Sequence, residues 1–116
     1  MYKYKAIVER VVDGDTLDIV IDLGFKITTT QRIRLAGIDT PETYNVKRDS
    51  EEYKKGIIAK EYVLQRIESN EHEAIIETDK DVGKYGRYIA TVWLPDSNTS
   101  LNDELVQKGF AKAVNY

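Results

Sequence analysis

The chain has 116 residues, 41% of them hydrophobic and 32% charged, with a formal net charge of −3. That length fits one domain spanning 1–116, and that composition can bury a core. The absence of cysteine excludes a disulfide framework and a thiolate zinc site, and the single His72 excludes a histidine-rich one. Charges interrupt the N-terminal residues where a signal peptide needs an apolar run, and no apolar stretch approaches the roughly 18 residues of a membrane span. The expectation is a cytoplasmic monomer with no membrane partner.

The negative charge argues mildly against a nucleic-acid partner, since such proteins usually present a basic face. Its distribution softens the objection. Residues 1–40 carry six Lys/Arg and six Asp/Glu, residues 41–80 seven against ten, and residues 81–116 four against four. The acidic excess therefore falls in the middle third, and local arrangement can still make a positive pocket.

In chain order, residues 2–12 read as a strand rich in Tyr, Val and Ile. Asp13-Gly14 is a hairpin signal of the kind that uses positive φ. Thr16 to Asp22 alternates, with Leu17, Ile19 and Ile21 on one face and Asp18 and Asp22 on the other. Leu23-Gly24-Phe25 turns the chain, and residues 27–36 form a third strand. Gly37 then ends regular structure, and Pro41 stiffens the segment that carries Asp39, Thr40 and Glu42. Tyr44 to Asp49 is a polar loop.

Ser50 followed by Glu51 and Glu52 marks a helix start, with acids where the helix dipole favours them. The helix is expected to run to about Ser69, with an apolar stripe of Tyr53, Ile57, Leu64 and Ile67 joined by Ile58 and Tyr62. Gly56 weakens it by about 1 kcal/mol relative to Ala. Residues 74–78 read as a fourth strand, 79–86 as a loop and 87–94 as a fifth strand. Ser100 with Asp103 resembles a capping box. A short helix follows to about Lys108, Gly109 terminates it, and residues 110–114 are extended. His72 falls in an exposed connection with no expected chemistry.

This order predicts an α+β fold, mainly β: a five-stranded Greek-key barrel of the OB type, with a helix between strands three and four and a short C-terminal helix. A packed α+β sandwich satisfies the same order of elements.

Several residues can carry chemistry. Asp15 and Asp39 can neutralise a hard divalent cation between them, with a backbone carbonyl such as that of Thr40 as a third oxygen ligand. Glu42 can take a proton from a water lined up on phosphorus. Arg34 and Arg87 can each fork onto phosphate oxygens. Lys84 and Tyr85 can offer a terminal phosphate contact and a stacking surface. Arg32, Lys47 and Arg48 have weaker claims to backbone contacts. Each has an ordinary reading too: Asp13 and Asp15 as hairpin-turn residues, Glu42 as a loop glutamate, the arginines as exposed strand residues.

VVDGDT (Val11–Thr16), RLAGIDTPE (Arg34–Glu42) and KYGRYIA (Lys84–Ala90), in that order and at these intervals, resemble the staphylococcal nuclease (thermonuclease, micrococcal nuclease) family. The likeness extends through LVQKGFA (Leu105–Ala111). It implies an OB-fold, calcium-dependent phosphodiesterase that cuts DNA and RNA and leaves 3′-phosphates. By motif, it implies that Asp15, Asp39 and the Thr40 carbonyl hold calcium and that Glu42 activates or positions the attacking water. Arg34 and Arg87 would clamp phosphate, Lys84 and Tyr85 would contact the nucleotide, and Asp13 would organise waters around the ion. The chain departs from some members in stopping short of a C-terminal helix and in carrying Asn115 where an aromatic residue can stand. Its acidic balance implies weaker or more salt-sensitive substrate binding than in a basic relative.

Two functional expectations follow. One is the small calcium-dependent nuclease with little sequence readout, in which substitution of either arginine lowers turnover far more than stability. The other is an OB-type module binding single-stranded nucleic acid or a protein partner, in which Glu42 is dispensable.

Overall fold

The computed structural model describes residues 2–78 and 88–114. Five strands close a barrel: β1 (Tyr2–Asp13), β2 (Thr16–Asp22), β3 (Thr28–Leu35), β5 (Glu73–Thr78) and β6 (Tyr88–Trp93). Around the barrel the order is β1-β2-β3-β6-β5. All pairs are antiparallel except β3 with β6, which run parallel through Ile33–Tyr88 to Leu35–Ala90. This is the expected OB-type barrel, and it removes the sandwich alternative.

The meander forms as its alternation predicts. Leu17, Ile19, Ile33 and Leu35 point inward and are fully buried, together with Val8, Ile76 and Val92. β1 serves two neighbours, pairing β5 through residues 2–7 and β2 through residues 6–13. Two register shifts in β1, between Val8 and Arg10 and between Val11 and Asp13, bend it enough to close the barrel.

Two helices cover the barrel: α1 (Glu51–Ser69) and α2 (Leu101–Gln107). Both start as the sequence indicates. The Ser50 hydroxyl accepts from the Tyr53 backbone N–H, and the Ser100 hydroxyl from that of Asp103. Gly109, at φ +81°, follows α2 in the left-handed region.

The buried face of α1 differs from the expected stripe. Gly56, Ala59, Val63 and Ile67 face the barrel, whereas Ile58 is 54% and Leu64 39% exposed. The reason is proximity: a helix this close to the chain beneath it must present small residues, and bulky ones are turned outward. A Cβ on Gly56 would stand 2.7 Å from the Pro41 carbonyl oxygen and 2.7 Å from Thr43 Cγ2. Gly56 is therefore a packing requirement and not merely a weak point in the helix.

Asp13-Gly14 also differs from expectation. The turn is there, but neither residue has positive φ. A Cβ at Gly14 would meet Thr40 Cγ2 at 3.0 Å and Ala59 Cβ at 3.1 Å, so glycine is needed for space. Gly37, by contrast, does adopt φ +74°. Beyond it lies a short strand absent from the sequence reading, β4 (Ile38–Asp39), which pairs with β7 (Lys112–Ala113). The Val114 N–H donates to the Gly37 carbonyl at 2.9 Å, so the extended C-terminal segment braces this turn.

Polar ties fix the helices. Arg66 of α1 donates to Glu104 of α2 (2.7 Å) and, through both terminal nitrogens, to Asp96 (2.7 and 2.8 Å). The Tyr62 hydroxyl donates to the same Glu104 at 2.6 Å. Burial raises the Glu104 carboxyl, but the hydrogen bonds from Arg66 and Tyr62 outweigh it and hold it below its ordinary value. Burial and the Glu104 carboxylate push the Tyr62 hydroxyl up to about 12. Asn102, also buried, accepts from the Val92 N–H and donates to the carbonyls of Ala36 and Ala90, sealing the end of the β3–β6 seam. His72 is half-buried, not exposed, with Nδ1 3.0 Å from the Val8 carbonyl oxygen. Among the described residues no helix is long and apolar enough to cross a membrane.

Gly56→Ala tests the helix contact. Helix propensity alone would make it stabilising by about 1 kcal/mol. The overlap with backbone at Pro41 predicts a loss of about 1–3 kcal/mol in urea unfolding instead.

Candidate active site

At one end of the barrel the β1–β2 turn, the end of β3 and the segment that follows β4 converge. Asp15 leaves the turn and is 4% exposed. Its Oδ2 accepts from Arg34 Nη1 at 2.7 Å and from the Thr40 backbone N–H at 3.2 Å, and its Oδ1 from the Thr16 hydroxyl at 3.0 Å. Its own carbonyl accepts from the Leu35 N–H at 2.9 Å. Arg34, at the end of β3, reaches past Asp15. Its Nη2 donates to the Ile38 carbonyl at 3.0 Å and to Asp39 Oδ1 at 3.3 Å. One guanidinium thus bridges Asp15 and Asp39, which lie 24 positions apart in the chain.

Asp13 is 7% exposed and accepts from the Thr43 hydroxyl at 2.7 Å. This bond ties the far end of the Thr40–Thr43 segment to β1. Burial raises the Asp13 carboxyl above its ordinary value and Asp15 adds to the effect, while Thr43 and Lys60 oppose it. Glu42 is likewise raised, first by burial and then by repulsion from Asp15, Asp13 and Asp39, with Arg34 pulling it back. Both shifts have burial as their first cause, with repulsion from neighbouring carboxylates added to it.

The structure therefore brings Asp13, Asp15, Arg34, Asp39, Thr40 and Glu42 together. Arg87, Lys84 and Tyr85 lie outside the described residues. Thr16, the last residue of VVDGDT, joins the cluster, as do Thr43 and Lys60, which no motif marks. Gly14 and Gly56 matter to the site through the space they leave for Thr40, Pro41 and Thr43. A glycine inside a helix signals close approach of another chain segment, and Gly56 carries that signal.

Whether these residues suit a divalent cation can be judged from their chemistry. All the donors are oxygens, the preference of hard cations. Repulsion from neighbouring carboxylates adds to burial in raising Glu42 and Asp13, so a positive charge here would be favourable. Thr40 Oγ1 is buried and has no hydrogen-bond partner among the described residues, an unusual condition for a buried hydroxyl. Among the described residues no three His, Cys, Asp or Glu side chains are grouped closely enough to hold a metal by themselves. Any cation here would draw on backbone oxygen or water as well as on Asp15 and Asp39.

A closed OB-type barrel with two carboxylates, Asp15 and Asp39, bridged by one arginine at its end defines a small α+β barrel protein. The chain belongs to the staphylococcal nuclease homologue family, whose model matches residues 32–116. It is 37% identical over 114 residues to a thermonuclease of Staphylococcus intermedius and 34% identical over 114 residues to one of Staphylococcus hyicus, covering 95% and 97% of this chain. It is 31% identical over 112 residues, 94% of this chain, to Endonuclease YhcR of Bacillus subtilis. The chain spans 60% of the length of each thermonuclease and 9% of the Bacillus protein.

The geometry revises one expectation. Arg34 is 13% exposed and Asp15 6% by side chain, so removing the guanidinium strands a buried carboxylate. Arg34→Ala is expected to cost on the order of 3–5 kcal/mol in urea unfolding, as well as any loss of activity. A loss below about 1 kcal/mol would show that the pair does not hold the site together.

Glu42 gives a pH signature of opposite sign. Its carboxyl is raised in the folded protein, so its contribution to stability is fully present below the unfolded value near 4.5 and is lost as pH rises through the folded value. Glu42→Gln removes the charge, so it should raise the melting temperature at pH 7, and the gain should shrink to nothing towards pH 4. Thermal unfolding across that range measures it.

Proposed function

We propose that the 116 residues form one nuclease domain, a phosphodiester hydrolase acting on DNA and RNA with little sequence readout. The observation that carries this reading is the gathering of Asp13, Asp15, Asp39 and Glu42 about Arg34 at the barrel end. Family membership and the relatives' names support it.

In this reading Asp15, Asp39 and the Thr40 carbonyl would hold a calcium ion, which would supply positive charge to a non-bridging phosphate oxygen. Asp13, fixed by Thr43, would order the water around it. Glu42 takes a proton from the attacking water. Its carboxyl, raised by burial and by the neighbouring acids, is a better base than that of an exposed glutamate. Arg34, already aimed into the acid cluster, binds the phosphate and balances the charge that grows on it, together with Arg87. As water oxygen bonds to phosphorus the P–O5′ bond breaks, the 5′ oxygen leaves and takes a proton from solvent, and the phosphate remains on the 3′ side. Lys84 and Tyr85 contact the terminal phosphate and the nucleotide ring. Among the described residues no element of the barrel end presents a helix or ribbon suited to reading base edges, so cleavage would depend on the backbone.

Cleavage of single-stranded and duplex DNA and of RNA by the wild type and Glu42→Gln, with calcium, magnesium or a chelator, tests the reading. Cleavage is expected with calcium, lost on chelation, and lowered about 10²- to 10⁴-fold in the variant, the usual contribution of a general base. A folded protein that binds DNA but cuts nothing under any of these conditions would replace the hydrolase with a binding module.

A further inference from the structure

The outer face of the barrel beside the acid cluster carries a second arrangement of charge. Arg10 of β1 lies opposite Asp18 of β2, and Asp18 lies opposite Arg32 of β3. Directly opposite residues share a face. Three strands therefore contribute one row, with two guanidiniums and one carboxylate. The next row towards the acid cluster pairs Thr16 with Arg34. Arg32 and Arg34 thus face the same way, about 6.6 Å apart along β3.

Asp18 fixes Arg32. Nε donates to Oδ1 at 2.7 Å and Nη2 to Oδ2 at 3.1 Å, the fork-on-fork geometry that leaves a guanidinium little freedom. The Arg32 side chain nevertheless remains 49% exposed. Such an exposed pair contributes little to stability, but it presents a pre-oriented cation. The carboxylate, within reach of Arg10 as well, does not neutralise the row.

An exposed aromatic side chain lies within electrostatic range of Arg32. Tyr44 is 54% exposed and its hydroxyl lies within electrostatic reach of the Arg32 guanidinium. Tyr44 directly follows Thr43, which is pinned to Asp13, and precedes Asn45 at φ +58°, so the chain turns away immediately after it. A fixed guanidinium and an exposed ring, one row from Arg34, match what single-stranded nucleic-acid sites use: a cation for the backbone and a flat face for the base.

We propose that Arg32 and Tyr44 form a binding site for one further nucleotide of a single-stranded nucleic acid, its phosphate on Arg32 and its base against Tyr44, next to the phosphate held at Arg34. The proposal deepens the nuclease reading and rests on it for the position of the scissile phosphate. Asp18 acts as a positioning residue for Arg32. Arg32 and Arg34 lie on one face of β3, one row apart, so the two sites engage neighbouring links of one chain.

The test is fluorescence anisotropy of labelled octathymidylate with the full chain, in a chelator that stops calcium-dependent cleavage, over a range of salt. Arg32→Ala should weaken binding several-fold and flatten the slope of log affinity against log salt by about 0.7, the value of one single-strand phosphate contact. Tyr44→Ala should weaken binding about 5- to 150-fold, the range of one base–aromatic stack, and Tyr44→Phe should restore it. Lys3→Ala, which removes an exposed charge near the start of β1, should change neither affinity nor slope comparably. Equal affinity and slope for Arg32→Ala and wild type, or no binding of the oligonucleotide by wild type, would overturn the site. The nuclease reading fails by a different route, absence of cleavage in calcium, so the two failures are told apart.

Discussion

The site depends on how closely the Thr40–Thr43 segment is clamped between the β1–β2 turn and α1. Gly14 lies under Thr40, and Gly56 lies over Pro41 and Thr43, with no space for a methyl group at Gly56 and very little at Gly14. Interiors packed at crystal-like density resist even one added methylene. Here that resistance fixes a segment that regular hydrogen bonding leaves largely unsupported. The Thr40 N–H finds Asp15 and the Thr43 hydroxyl finds Asp13, so each end of the segment is hydrogen-bonded to an acid of the β1–β2 turn region. Asp39 and Glu42 flank or sit within it and are carried to the other acids by that clamp.

Concentrating acids in this way is unfavourable in itself. Asp13 and Glu42 are raised by burial and by one another's neighbours, and Arg34 offsets part of the repulsion from a nearly buried position. The fold holds this arrangement because its stability is gathered elsewhere. The core is continuous from the barrel interior to Val63, Ile67, Leu101 and Leu105 on the helices. Arg66 and Tyr62, in the C-terminal half of α1, tie it to Glu104 of α2, and Arg66 also to Asp96. A rigid scaffold with a mutually repelling cluster at one end is the usual compromise of a chemically active site.

Net charge is a poor guide to such a molecule. An overall −3 says nothing of the fact that Arg10 and Arg32 flank Asp18 in one row beside the acids. A charged group near the barrel end would feel these local cations more than the average, because exposed charges farther than about 8–10 Å are largely screened at physiological salt. The short β4–β7 pairing adds to this local arrangement by setting Lys112 opposite Asp39.

What the sequence determined by itself was whatever depends on local rules. Alternation placed Leu17, Ile19 and Ile33 inside; Ser50 and Ser100 marked the helix starts; Gly109 ended α2; and three motifs carried the family and the acids of the site. What only the tertiary structure decided was whatever depends on distance between segments remote in sequence. Helical periodicity cannot tell a helix that must fit tightly from one that need not, so the large residues of α1 suggested a face that in fact lies half in solvent, and Gly56 was read as a defect. Asp13-Gly14 was read through backbone conformation when its constraint was the side chain of Thr40, 26 residues away. The β4–β7 pair could not be read because two-residue strands have no period. Arg34 was legible as a cation near acids, but its engagement with Asp15 and Asp39 at once, and so its part in holding the fold, required the closed barrel that brings residues 15, 34 and 39 to one point.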